Sequence, residues 1–113
     1  MHELAITKSI IDLVETEAKK QGFKKALEIR LRLGEYSGIV PAYIEDFFPL
    51  VAEGKVSEGA KLFFETSPAK FLCRDCGFEG GADRKNACCA SCGSTNLKMT
   101  AGREFFVESL KVE

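Results

Sequence analysis

At 113 residues the chain has room for one domain, or for a domain with a small appendage, and two large domains are excluded. Its 45% hydrophobic and 29% charged residues are those of a soluble globular chain rather than a disordered one, and with nine Phe and no Trp the phenylalanines must fill much of the core. Sixteen Lys and Arg against seventeen Asp and Glu leave a formal charge of -1, which speaks against general binding to nucleic acid or to anionic membranes.

The first twenty residues, MHELAITKSIIDLVETEAKK, carry no basic stretch ahead of their apolar positions and too many charges for a membrane span, so a cytoplasmic location is expected. From Leu4 to Lys20, Ile6, Ile10, Val14 and Ala18 recur every four residues. Ile11 and Leu13 widen that stripe, and Lys8, Asp12, Glu15 and Lys19 fall mostly opposite, which predicts an amphipathic helix. Gln21-Gly22 supplies its stop, with Lys19 and Lys20 suited to the negative end. Leu27, Ile29, Leu31 and Leu33 then alternate with Glu28, Arg30 and Arg32, the clearest strand pattern in the chain.

Gly34 to Gly38 reads as a loop, and Pro41 opens a second helix, PAYIEDFFPLVAE, whose Tyr43 or Ile44, Phe47, Phe48 and Val51 can cover a sheet. Pro49 is expected to kink or end it. Lys61 to Thr66 alternates again until Ser67-Pro68 breaks the run. The closing REFFVESLKVE is strand-like, with a change of apolar parity between Val107 and Leu110 such as a bulge produces. Between these strands, Lys70 to Thr100 holds all five cysteines and little that could make a core. The expected architecture is α+β, two helices packed on a small mixed or antiparallel sheet, with an inserted four-cysteine module. Residues 1–69 and 101–113 form the α+β domain and 70–100 the module.

Cys73-Arg-Asp-Cys76 and Cys89-Ala-Ser-Cys92 are two C-x2-C pairs separated by twelve residues, the arrangement of a four-cysteine zinc site. Two residues between thiolates let one tight turn present both sulfurs to one ion, and Gly77 and Gly93 follow each second cysteine, where the backbone must bend. A closed S4 site is a stabiliser rather than a catalyst, so zinc would replace the missing core. A thioredoxin-like redox role needs a single reactive pair near a βαβ pattern and fits poorly. Cys88 can substitute for Cys89 or remain a spare thiol, but Cys89 makes the two pairs equivalent. Four thiolates on one zinc offset the module's excess of Lys70, Arg74, Arg84, Lys85 and Lys98 over Asp75, Glu79 and Asp83.

His2 is the only histidine. A frayed terminal residue is its bland reading. With a free amine on Met1, however, that amine, the amide nitrogens of His2 and Glu3, and Nδ1 of His2 close five-, five- and seven-membered chelate rings around one ion. Four nitrogens in a plane favour Ni(II) or Cu(II), the Glu3 carboxylate can serve as an axial ligand or hold a metal-bound water, and protonation of the amine or imidazole releases the ion near neutral pH.

Met1-His2-Glu3-Leu4, LRLGEYSGIVP, the paired C-x2-C knuckles with Cys92-Gly93-Ser94, and the terminal GREFFVESLKVE together resemble the HypA/HybF hydrogenase maturation factors over essentially the whole chain. That resemblance implies a metallochaperone and no enzyme. Ni(II) is its transferred cargo at Met1, His2 and Glu3, and Zn(II) its structural ion at Cys73, Cys76, Cys89 and Cys92. The partners it implies are a HypB-type GTPase and the large subunit of NiFe hydrogenase, with urease as a second client, and a homodimer is left open. Ala90 stands where many members have Pro, and Cys88 adds a thiol. No G-x-x-x-x-G-K-[ST] loop is present, so any GTP dependence belongs to a partner. The competing expectation is a zinc-ribbon interaction or RNA-binding module without nickel chemistry, with Arg74, Arg84 and Lys85 on phosphate, and the charge balance disfavours it.

Overall fold

The computed structural model describes residues 2–83 and 87–113. In chain order the elements are α1 (Glu3–Gln21), β1 (Ala26–Gly34), α2 (Pro41–Ala52), β2 (Lys61–Ser67), β3 (Lys70–Cys73), β4 (Glu79–Gly80), β5 (Ala82–Asp83), β6 (Cys88–Cys89), β7 (Leu97–Ala101) and β8 (Phe105–Val112), an α+β fold. They form two compact units. One comprises Met1–Arg32, Gly38–Glu65 and Phe106–Glu113, and the other Leu33–Ser37 and Thr66–Phe105.

In the first unit α1 buries Glu3, Thr7, Ile10, Ile11, Val14 and Ala18, and the Gly22 amide closes its last turn on the Ala18 carbonyl at 2.8 Å. Leu13 does not join this face and is 45% exposed, because two helical steps turn it roughly 200° from Ile11. It lines a shallow groove with Phe23, Val107, Leu110 and Val112 instead. Thr7 is tolerated inside the stripe because its hydroxyl donates to the Glu3 carbonyl at 2.7 Å.

β1 buries Ile29 and Leu31 completely and Leu33 nearly so, as its alternation predicts, whereas at its start Leu27 is half-buried and Ala26, of the other parity, is buried. On α2 the buried positions are Ile44, Phe48 and Ala52, a four-residue rhythm, while Tyr43 is 54% exposed. Pro49 neither ends nor shortens this helix at its own position. It lies on the exposed side of the last turn, where one missing N–H donor is cheap, and α2 continues to Ala52.

α1 and α2 pack together, and two carboxylates of α1 fix the chain on either side of α2. Glu3 Oε2 accepts the Val40 amide at 3.2 Å and Glu15 Oε1 accepts the Val56 amide at 2.6 Å. Twelve residues of α1, roughly 18 Å, separate those carboxylates and match the 12 residues of α2, so the two helices run parallel.

The sheet has the order β2-β1-β8. Lys25 exchanges backbone bonds with Glu113 while the Gly34 amide reaches the Glu104 carbonyl, so β8 runs antiparallel to β1. The Ala26 amide bonds Val56 and the Glu35 amide bonds Ser67, so β2 runs parallel to β1 with α2 as the crossover, and the sheet is mixed. The charged side of β1 is paired across strands. Arg32 Nη2 lies 2.7 Å from Glu65 and 2.9 Å from Glu108, and Arg30 sits 4.6 Å over the Phe63 ring. The hydrogen bonds that Arg32 donates to Glu108 lead in raising its pKa above the ordinary value.

Ser57 is fully buried, and its hydroxyl has no hydrogen-bond partner among the described residues. An unmatched buried hydroxyl costs stability, so Ser57→Ala is expected to stabilise the chain by about 1 kcal/mol in urea unfolding. A destabilised variant would show that the hydroxyl is satisfied in solution.

The second unit has almost no apolar interior. Its buried apolar side chains among the described residues are Leu33 and Ala69, together with Cys73 and Cys89. The sheet β4-β3-β7 is antiparallel and β5 pairs β6, in strands too short to show a period in the sequence. At Gly34 and Gly102 two chain passages come into backbone contact. A Cβ on Gly34 would overlap the carbonyl carbon and oxygen of Gly102 and Oε1 of Glu104. The Tyr36 amide donates to the Gly102 carbonyl at 2.7 Å, and Glu104 Oε1 accepts the Gly102 amide at 2.7 Å.

Candidate metal centre

The two C-x2-C segments are built alike. In the first, the Cys73 amide donates to the Phe78 carbonyl at 2.8 Å and the Gly77 amide to the Cys73 carbonyl at 2.9 Å. In the second, the Cys89 amide donates to Ser94 at 2.7 Å and the Gly93 amide to Cys89 at 2.9 Å. Gly77 and Gly93 have φ of 79° and 77°, a left-handed turn that an L side chain strains. Each turn brings both of its sulfurs to the same side, and β3 and β6 carry the first cysteine of each pair.

All four sulfurs, of Cys73, Cys76, Cys89 and Cys92, lie within 4.8 Å of one another. Cys73 Sγ is 3.6 Å from Cys92 Sγ, and Cys76 Sγ is 3.7 Å from Cys89 Sγ. These separations are far too long for disulfides, and the cysteines are free. They match the edge of a tetrahedron, about 3.8 Å, that four sulfurs form at about 2.3 Å from a central zinc. Cys88 precedes Cys89 on β6 and stays outside the cluster, since successive strand residues point to opposite sides.

Backbone amides surround the sulfurs. Cys89 Sγ accepts from Ser91 at 3.3 Å and from Cys92 at 3.4 Å. The amides of Cys76 and Asp75 face Cys73, that of Phe78 faces Cys76, and that of Ser94 faces Cys92. Such donors favour thiolates, and the Cys92 and Ser91 amides hold the Cys89 thiol down at about 7, with Cys73 lowered by the Cys76 amide first and then by that of Asp75. At Cys76 the Phe78 amide works downward but burial and the sulfurs of Cys73 and Cys89 prevail and raise the thiol. At Cys92 the Ser94 amide is likewise outweighed, by the Cys76 and Cys73 sulfurs, burial and Cys89, and the thiol is pushed up to about 12. Four adjacent sulfurs cannot all ionise on their own, and a divalent cation between them removes that conflict. The donor set therefore fits a soft or borderline tetrahedral ion, and with all four positions taken by protein sulfur it leaves no ligand position open.

At the amino end His2 is exposed and occupies the N-cap of α1, with ψ of 79°. Glu3 begins the helix and is 9% exposed, its carboxylate turned to the Val40 amide. His2 and Glu3 are thus adjacent, whereas Met1 lies outside the described residues. Arg84 and Lys85, two of the three cations of the RNA-binding alternative, also lie outside them, and Arg74 is exposed. No described helix is long and apolar enough to cross a membrane.

Residues 1–112 match the protein family described as hydrogenase/urease nickel incorporation, metallochaperone, hypA. The chain is 36% identical over 108 residues to the hydrogenase maturation factor HypA of Moorella thermoacetica, covering 96% of each chain. It is 34% identical over 113 residues to that of Aquifex aeolicus, covering 100% of this chain and 98% of the relative. The fold is similar to the solution structure of the Ni metallochaperone HypA from Helicobacter pylori, with a TM-score of 0.73 and 27% identity over 99% of this chain and 97% of the other. A second solution structure of a HypA protein matches with a TM-score of 0.77 and 27% identity.

Proposed function

Because this chain belongs to the HypA family of nickel-incorporation metallochaperones, which serve hydrogenase maturation, we propose that it separates two metals by ligand chemistry. Zn(II) sits at Cys73, Cys76, Cys89 and Cys92 and fastens the second unit, and Ni(II), the cargo, is carried at Met1, His2 and Glu3. The observation that carries this reading is the geometry of the four sulfurs. A closed tetrahedral thiolate site holds its ion too firmly, and offers no open position, for a metal that must be handed on. The cargo then needs a second set of donors, and the exposed His2 at the start of α1 offers one.

Local structure favours that end of the helix. The first amides of an α-helix have no intrahelical acceptor, so a metal on the Glu3 nitrogen displaces no helical hydrogen bond. A five-membered ring through the His2 and Glu3 nitrogens requires His2 ψ near zero, so binding turns this bond from its present 79°. The imidazole and the amine become donors only when unprotonated, which makes loading fall as the solution is acidified.

The recipient in this reading is the large subunit of NiFe hydrogenase, with urease as a second client and a HypB-type GTPase supplying the nucleotide step. Nickel titration of His2→Ala, and of a chain carrying one extra residue before Met1, tests the assignment. Both are expected to lose nickel binding while zinc content is unchanged. Nickel bound as in the unaltered chain would remove the site from the amino end.

A further inference from the structure

The two C-x2-C turns match in backbone but differ in one side-chain link. Ser94 and Phe78 occupy equivalent places, each accepting the first cysteine's amide on its carbonyl and turning its own amide toward the second cysteine's sulfur. Phe78 contributes nothing polar beyond that. Ser94 adds a hydroxyl, which donates to Asp75 Oδ2, between the two cysteines of the other turn. Asn96 Nδ2 donates to Asp75 Oδ1 at 3.2 Å, and the Asn96 amide donates to Ser94 Oγ at 3.1 Å. The Arg74 amide, next to Asp75, donates to the Asn96 carbonyl at 3.0 Å.

We infer that Asp75, Ser94 and Asn96 form a clasp across the two knuckles that holds the four sulfurs together and slows release of the ion, with Asp75 as its positioning residue. The inference rests on the reading of the four cysteines as a metal site. Its logic is geometric. Each knuckle fixes only its own two sulfurs, and although β7 and the Arg74–Asn96 bond tie the chain beyond Cys92 to β3, losing the ion requires the knuckles to part beside that ladder. Both oxygens of Asp75 are held by the opposite segment, and the Asp75 amide faces Cys73 Sγ in its own. Parting the knuckles therefore breaks two charge-assisted hydrogen bonds together with the metal–sulfur bonds. Hydrogen bonds outside the ligand shell are worth about 10–100-fold in metal affinity.

The test is zinc release from the purified full chain to an excess of a colorimetric chelator, for the unaltered protein, Asp75→Ala, Asp75→Asn, Ser94→Ala and Ser94→Thr. Asp75→Ala and Ser94→Ala are expected to release zinc about tenfold faster or more. Asp75→Asn, which keeps one acceptor, should fall between, Ser94→Thr, which keeps the hydroxyl, should restore slow release, and the Asp75→Ala/Ser94→Ala pair should add little to either single change. Co(II) loaded into each variant should keep one tetrahedral four-sulfur spectrum, which shows that the ligand set is intact while the rate has changed. Equal release rates in a chain that does bind zinc would overturn the clasp alone, whereas an unaltered chain that binds neither zinc nor Co(II) would overturn the metal site and the clasp with it.

Discussion

Cys73→Ser is expected to unfold the second unit and leave the first folded. The first unit has an apolar interior of its own, from Ile10, Ile11, Val14 and Ala18 on α1 through Ile29 and Leu31 on β1 to Ile44, Phe48 and Ala52 on α2. Burial of side chains of this kind is worth roughly 1.5–3 kcal/mol each before the entropy of ordering is set against it. The second unit has Leu33 and Ala69 beside two of its own candidate ligands, and strands of two to five residues from β3 to β7. So small a unit needs a staple, and a bound ion whose loss is the loss of folding is the one its four sulfurs provide. In a two-dimensional amide NMR spectrum, signals of residues 66–105 should collapse toward unfolded positions in Cys73→Ser, or when a chelator strips the metal. Signals of α1 and α2 should hardly move. A spectrum that keeps its dispersion after complete metal removal would show that the unit folds without an ion.

A second large effect is expected at Gly34. Replacing it with Ala should destabilise the chain by about 3–5 kcal/mol, a large part of the stability of a small domain. The reason is contact rather than conformation, since the new methyl would meet the backbone carbon and oxygen of Gly102, which cannot rotate away as a flexible side chain can. The same passage is held by the Gly34 amide on the Glu104 carbonyl at 2.7 Å, and a shift that relieved the clash would lengthen that bond. Gly59 is the control. It has φ of 76° but nothing within 4 Å of an added Cβ, so Gly59→Ala should cost only about 1 kcal/mol. Urea unfolding of both variants gives the comparison, and equal costs at the two positions would show that the Gly34 contact relaxes freely.

Where the chemistry is local and periodic, the sequence was sufficient. The alternation of Leu27 to Leu33 names β1 and its inner face, the four-residue rhythm from Ile10 to Ala18 names α1, and the two C-x2-C pairs name the four sulfurs that the fold gathers. The rest depends on residues far apart in the chain. Nothing around Glu3 or Glu15 marks them as acceptors for the amides of Val40 and Val56, and no local feature separates Leu13 from Ile11, since only the centre of the buried stripe decides which of them is inside. Gly34 read as the start of a loop, because a close approach to Gly102 leaves no local trace. Asp75 and Ser94 are common loop residues, and only the facing of the two turns makes them partners. Strands of two residues such as β4 and β6 are too short for any period to show.

X-ray absorption at both metal edges of the nickel- and zinc-loaded chain tests the separation of the two metals most directly. The zinc edge is predicted to report four sulfurs at about 2.3 Å, and the nickel edge nitrogen and oxygen donors including imidazole, with no sulfur. Sulfur around nickel, or imidazole around zinc, would contradict the division of labour between the amino end and the four cysteines.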